Sequence, residues 1–200
     1  MLRPRPGRGI QLTKIESTVL AAGVTSRGHF RYESGHHGDL WLDLDGLLVD
    51  AHRARGWASA LAQRAAACQP EFVCGPFTGG AFVAQLLAAE IDVGFVFAER
   101  VVSDDRTTRY RVPDSLRKAV SGRRVLLVDD VVNAGSALLS TLTDLSRCGA
   151  RLAGCACLIA LGEAASQIAG QNGAPVYGPG SFERGMWAAE DCLCAPQERR

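Results

Sequence analysis

Between residues 50 and 165 the chain alternates between unbroken apolar runs and segments with helical spacing. His52 to Cys68 places Trp57, Leu61 and Ala65 on one helical stripe, and Phe72-Val-Cys-Gly75 then reads as a buried strand. A glycine turn, a helix near Ala81 to Glu90 and a second strand from Val93 to Ala98 follow. After an Arg-rich polar stretch, Arg124 to Val132 is apolar except for two adjacent acids. Ala137 to Cys148 has helical spacing up to Gly149, and Leu152 to Leu161 is a further strand. Unbroken apolar strands alternating with helices predict an α/β fold, with a mostly parallel central sheet covered by helices on both faces.

The pattern before this core is different. Leu12 to Ala22 supports a short helix that Gly23 stops, and Gly28 to Ser34 is a polar, strand-like stretch. A turn through Gly35-His36-His37-Gly38 leads to Leu40-Trp-Leu-Asp-Leu44, which alternates enough for a half-buried strand. The expected organisation is a frayed tail over 1–11, a helix and small antiparallel hood over 12–50, and an α/β core over 51–165. Residues 166–200 form a C-terminal segment without an assigned role; the recognisable pattern ends at Gly178-Pro-Gly180, and Trp187, Cys192 and Cys194 lie beyond it.

Composition narrows the class of protein. Over 200 residues the apolar share is 47% and the formal net charge is +1, so a general nucleic-acid binder or a polybasic membrane protein is not expected. The N-terminus lacks an apolar segment behind its arginines, so no secretion signal is predicted. Phe72 to Ala89 carries no charge, but Gly75, Pro76, Gly79, Gly80 and Gln85 interrupt it, and it reads as strand, loop and helix rather than a membrane span. Seven cysteines without a disulfide framework predict reduced thiols and a cytoplasmic protein. The pairs Cys155/Cys157 and Cys192/Cys194 are closer together than zinc ligands usually are, and packing is the favoured reading for them. His29, His36, His37 and His52 form no zinc-binding spacing either, so no metal held directly by the protein is expected.

The chemistry concentrates in Val125-Leu-Leu-Val-Asp129-Asp130-Val131-Val132-Asn133-Ala134-Gly135-Ser136-Ala137-Leu138. Two carboxylates fall at the C-terminal end of a buried strand, where α/β sheets bind ligands. Small residues and a hydroxyl then form a turn that opens a helix and offers backbone N–H groups to a phosphate. Carboxylates repel phosphate but suit sugar hydroxyls or a metal ion, so a ligand with a phosphate beside a diol meets both demands. A second turn, Gly75-Pro-Phe-Thr78-Gly79-Gly80, also follows a strand and opens a helix, where another anionic group can sit.

With its apolar run, paired acids and small-residue loop, this stretch resembles the phosphoribosyltransferase family. Within it the resemblance is to orotate phosphoribosyltransferases, over roughly residues 12–163, and includes Gly28-His-Phe-Arg-Tyr-Glu-Ser-Gly35. The resemblance implies a phosphoribosyl pyrophosphate (PRPP) fold with an N-terminal hood. It also implies transfer of ribose 5-phosphate to a heterocyclic base, with Mg²⁺ bound chiefly through PRPP near Asp129 and Asp130, and a homodimer. Asp129 and Asp130 would hold the ribose and stabilise charge during catalysis, with Val131 and Val132 beside them. Asn133 to Ala137 would cradle the 5′-phosphate, and Thr78, Gly79 and Arg100 the pyrophosphate. Glu33, Trp41, Asn133 and Glu163 would face the base; Trp41 and Phe30 can equally be core.

The chain also departs from that family. Glu33 and Glu163 stand near places where orotate enzymes carry basic residues, and acids there suit a base rich in N–H donors. Lys14 and Lys118 are the only lysines among 22 basic residues, so the expected lysine- and histidine-bearing loop contains neither. Arg100, Arg106, Arg109 or Arg111 can replace its charge but not a proton donor; a solvated surface loop is the plainer reading. These departures motivate an alternative, a non-catalytic PRPP- or nucleotide-sensing or assembly protein that keeps the fold.

Overall fold

In the computed structural model, the described residues are 25–31, 37–103, 107–178 and 185–192. The expected helix over 12–22 and the N-terminal tail lie outside them. Strands β1 (Thr25–Arg31) and β2 (His37–Leu42) form an antiparallel pair. Two short-range caps then start the helices that lead to the core. Asp43 accepts a hydrogen bond from the Gly46 N–H at the start of α1 (Leu44–Val49), a helix the apolar pattern did not signal. Asp50 accepts from the His52 and Arg53 N–H groups at the start of α2 (Ala51–Ala65).

The core follows as β3 (Phe72–Pro76), α3 (Gly79–Ile91), β4 (Gly94–Val102), β5 (Thr108–Arg111), α4 (Asp114–Val120), β6 (Arg124–Val132), α5 (Ser136–Arg147), β7 (Arg151–Ala160), α6 (Ala164–Gln171) and β8 (Val176–Tyr177). Their strands form one sheet in the order β5-β4-β3-β6-β7-β8, parallel except for β5. This is the α/β architecture that the apolar pattern predicts.

Successive strand residues feed opposite sides of the sheet, as the period of two requires. Val73, Leu126 and Leu158 pack with Trp57, Leu61 and Leu87 from α2 and α3. Cys74, Leu127 and Cys157 pack on the other face with Leu138, Leu142 and Leu145 of α5 and Ile168 of α6. Most cysteines therefore serve as small core residues. Burial in this layer pushes the Cys155 and Cys157 thiols up to about 12, which leaves them protonated and inert.

The Arg-rich stretch differs from the loop the sequence suggested. Its two sides pair as the antiparallel strands β4 and β5, with Arg100 opposite Tyr110 and Val101 opposite Arg109. The buried Asp144 of α5 anchors the chain between β5 and α4 and α4 itself: its Oδ2 accepts from the Val112 N–H and from Arg117 Nη1, each at 2.8 Å. Residues 166–178 complete α6 and add β8 to the sheet edge, whereas β9 (Met186–Trp187) pairs with β2 in a separate three-stranded sheet. Among the described residues no helix is long and apolar enough to cross a membrane.

Candidate active site

The C-terminal ends of β3 and β6 lie side by side in the sheet, and the chain leaves each of them through a turn into a helix. The carboxylates of Asp129 and Asp130 emerge there, with only 7% and 9% of each residue exposed. Each acid folds back on the next backbone amide: the Asp130 N–H donates to Asp129 Oδ1 at 3.1 Å, and the Val131 N–H donates to Asp130 Oδ1 at 2.9 Å. Burial, and then the charge of Asp130, raise Asp129 well above the usual carboxylate range.

The β3 turn presses directly on these acids. A Cβ on Gly79 would run into the Asp130 carboxylate, and one on Gly80 into Asp129 Oδ1 and the Pro76 ring. Both positions therefore require glycine for close approach rather than for a positive φ. The Phe77–Thr78 peptide is cis, and the Phe77 N–H donates to the Ala98 carbonyl at 2.8 Å.

A cleft of about 460 Å³ opens over this junction. Of the residues singled out from sequence, Thr78, Gly79, Arg100, Asp129, Asp130, Val131 and Ala137 line it. Val132 is buried beneath, while Asn133 and Ala134 are exposed in the turn beyond. Gly135, at φ 75°, caps α5 without a side-chain hydrogen bond, and Ser136 opens the helix. Its first N–H groups thus lack a side-chain cap, the arrangement that accepts a phosphate.

The base-facing candidates are more scattered. Glu33 lies outside the described residues. Trp41 is 45% exposed on β2 and packs against Phe30 with ring centroids 5.8 Å apart. Glu163 stands exposed at the N-terminus of α6. Neither Trp41, Asn133 nor Glu163 is among the residues lining the cleft.

Pro76, Phe77 and Gly80 of the same glycine turn also line the cleft, whereas Leu48, Phe82 and Tyr110, which complete the walls, had no motif to announce them. Desolvation, and then the charge of Asp129, raise the Tyr110 phenol, so it is a neutral hydrogen-bonding group facing the acids. Arg100 supplies the cation in this wall, whereas Arg109, Arg111, Arg117 and Arg147 line a separate groove of about 640 Å³ beside α5. Arg106 lies outside the described residues.

Two adjacent, buried carboxylates with one held above its normal range offer hard oxygen donors to a cation. They fit Mg²⁺ arriving on a phosphorylated substrate.

A mostly parallel sheet whose strand ends hold paired acids beside two helix-opening turns has the architecture of an α/β domain that binds its ligand at the C-terminal strand ends. The family model for the phosphoribosyl transferase domain matches residues 49–170, and the chain belongs to the phosphoribosyltransferase family. It is 30% identical over 193 residues to the orotate phosphoribosyltransferase of Campylobacter curvus, covering 90% of this chain and 93% of that one. The orotate phosphoribosyltransferase of Wolinella succinogenes is 30% identical over 146 residues, covering 72% of this chain and 68% of its own.

Solved structures share the fold. The orotate phosphoribosyltransferase of Mycobacterium tuberculosis matches with a TM-score of 0.63 at 18% identity, covering 82% of this chain and 93% of that one. Adenine phosphoribosyltransferase of Trypanosoma brucei matches with the same TM-score, 0.63, at 16% identity, covering 82% of this chain and 77% of its own. The fold alone therefore does not choose the base.

Proposed function

We propose that this chain is a PRPP-dependent phosphoribosyltransferase of the orotate phosphoribosyltransferase type, acting in pyrimidine biosynthesis as a cytoplasmic homodimer. The observation that carries this reading is the buried Asp129–Asp130 pair at the end of β6, pressed against Gly79 and Gly80 of the neighbouring turn. The curated relatives are named as transferases, and one of them covers nine tenths of both chains, so the non-catalytic alternative is not favoured.

In the reaction, a lone pair on a ring nitrogen of the base forms a bond to the ribose anomeric carbon, and the proton that nitrogen carried passes to solvent. The bond from that carbon to pyrophosphate breaks, and its electron pair leaves on the pyrophosphate oxygen. Positive charge develops on the sugar ring as this happens. Asp129 and Asp130 lie where they can hold the ribose hydroxyls and stabilise that charge, and their burial strengthens the effect. The N-terminus of α5, from Asn133 to Ala137, receives the 5′-phosphate, while Thr78, Gly79 and Arg100 receive the pyrophosphate. Mg²⁺, when bound with PRPP, neutralises charge on the departing pyrophosphate. Tyr110 orients a ligand by hydrogen bonding but stays protonated at neutral pH, and positioning supplies much of the rate.

The test is pyrophosphate release from PRPP and Mg²⁺ with a panel containing orotate, purines and amine-rich heterocycles. Turnover with orotate is expected, and its loss in Asp129→Asn/Asp130→Asn. No turnover with any base, beside intact PRPP binding, would remove the assignment.

A further inference from the structure

The hood carries a second cluster of chemically competent side chains, away from the cleft. His29 Nε2 lies 3.1 Å from His37 Nδ1 and 3.1 Å from Cys192 Sγ. The three ligand atoms all fall within 4.8 Å of one another. Backbone geometry brings them there. Between Arg27 and Phe30 the pairing of β1 with β2 shifts, so Gly28 and His29 together oppose Asp39 in a bulge. His37 faces Trp187 across the β2–β9 pair, and the Trp187 ring stacks on His29 at 6.0 Å and 4°. A 3₁₀ turn over Ala189–Asp191 returns the chain so that Cys192 reaches the same nitrogen.

Protons alone serve this arrangement poorly. A neutral His29 Nε2 has either one hydrogen or one lone pair, yet it faces two groups at hydrogen-bond distance. Its other ring nitrogen, Nδ1, is buried without a hydrogen-bond partner among the described residues and would keep its N–H with a metal on Nε2, so the ring is oriented by the Trp187 stack. A metal ion accepts all three lone pairs at once. With Zn–N near 2.0–2.1 Å and Zn–S near 2.3 Å, tetrahedral coordination separates two nitrogens by about 3.3 Å and nitrogen from sulfur by about 3.6 Å. The two 3.1 Å separations from His29 Nε2 are shorter than these by about 0.2 Å and 0.5 Å, and all three atoms lie within 4.8 Å of one another, so small side-chain rotations would bring them to one ion.

We propose that His29, His37 and Cys192 form a zinc site that staples the C-terminal segment to the hood. Two imidazoles and one thiolate select zinc over Mg²⁺, which prefers oxygen donors. The fourth position is left to water. The staple has a structural purpose: β9 is 2 residues long, and beside it the segment is tied to β2 chiefly by the two Asp39–Gly185 hydrogen bonds, a short attachment that a metal would reinforce. The site also assigns a role to Cys192 and stands against the sequence-based expectation that the protein ligates no metal directly.

The experiment uses the full chain, stripped with a chelator, dialysed and reloaded with Zn²⁺ or with Co²⁺ as a spectroscopic probe. We expect about one zinc per chain by elemental analysis, undisturbed by excess Mg²⁺. The Co²⁺ form should show the strong visible bands of a four-coordinate ion and a thiolate-to-cobalt charge-transfer band. Cys192→Ser should remove the charge-transfer band, and His37→Ala should weaken zinc binding at least about tenfold. A wild-type protein that takes up no zinc, weak six-coordinate cobalt bands, or a charge-transfer band that survives Cys192→Ser would each overturn the site. Wild-type cobalt spectra need no variant to fold, and circular dichroism checks the variants.

Discussion

The acid cleft and the hood cluster are both places where polar side chains meet away from bulk water, but they are assembled in opposite ways. In the cleft, Asp129 and Asp130 are adjacent in sequence and stand on a central strand flanked by β3 and β7. The hood cluster joins residues 8 and 163 positions apart through short strands at the margin of the molecule. Rigid neighbours impose the first arrangement and can hold two acids in an unfavourable proximity. The second arrangement has a shorter framework of its own, which the proposed zinc would complete. A strained charge pair belongs on a scaffold that does not depend on it, whereas a staple belongs where the scaffold is weak.

The largest expected effect separates the two regions outright. Asp129→Asn/Asp130→Asn should lower kcat/KM by about 10³-fold or more, roughly 4 kcal/mol of transition-state stabilisation. Its zinc content by elemental analysis should equal that of the wild type. A smaller loss, on the order of 10²-fold, is expected for Gly79→Ala, because the added methyl displaces the Asp130 carboxylate while the strands beneath stay in place. Steady-state kinetics beside an unchanged far-UV spectrum checks it.

The hood should answer differently. His37→Ala/Cys192→Ser should lower the thermal midpoint by several degrees, equivalent to about 2 kcal/mol at this chain length, with PRPP affinity by calorimetry unaltered. A parallel collapse of PRPP binding would show that the two regions are one cooperative unit.

The smallest effect concerns the cost of the acid pair. Burial and the charge of Asp130 raise Asp129 in the folded protein, whereas an unfolded aspartate titrates near about 3.9. The folded chain thus holds that proton more tightly. The stability it contributes is fully present below the unfolded pKa and is lost as pH rises through the folded one. Unliganded protein should accordingly be less stable at neutral than at mildly acidic pH as far as this group is concerned. Asp129→Asn should flatten that dependence and raise the thermal midpoint at neutral pH by roughly 2–4 °C, or about 1 kcal/mol, at the expense of activity. Thermal melts across pH, without PRPP, test the sign.

The same contrast explains what could be read from the sequence. The stretch from Val125 to Leu138 announced a strand, two acids, a turn and a helix because all its determinants are local. The parallel sheet was legible for a similar reason, since strands covered on both faces are apolar at every position. Elements whose existence depends on distant partners were not legible. β9 exists through its pairing with β2, whereas α1, only six residues long, has a local Asp43 cap but no amphipathic period to mark it. Tyr110 enters the cleft through strand register, a property no local spacing encodes. The hood cluster is the extreme case: His29, His37 and Cys192 have no zinc-like spacing, and it takes the bulged β1–β2 pair and the returning C-terminal segment to bring them together.

The pairing of β4 with β5 acts as a sorting device for charge. Arg100 lies opposite Tyr110 and lines the cleft, while Arg109 and Arg111, one position to either side of Tyr110, line the groove beside α5. Tyr110 borders both, and its N–H is held by the Ser140 hydroxyl at 2.8 Å. Side chains alternate along a strand, so sliding β5 by a single residue would exchange a neutral phenol for a guanidinium at the cleft wall. The number of positive charges facing the two acids is therefore counted out by a hairpin's register and fastened by one serine on a neighbouring helix. A protein with twenty arginines can in this way keep an acidic cleft, because the sheet decides which of them look into it.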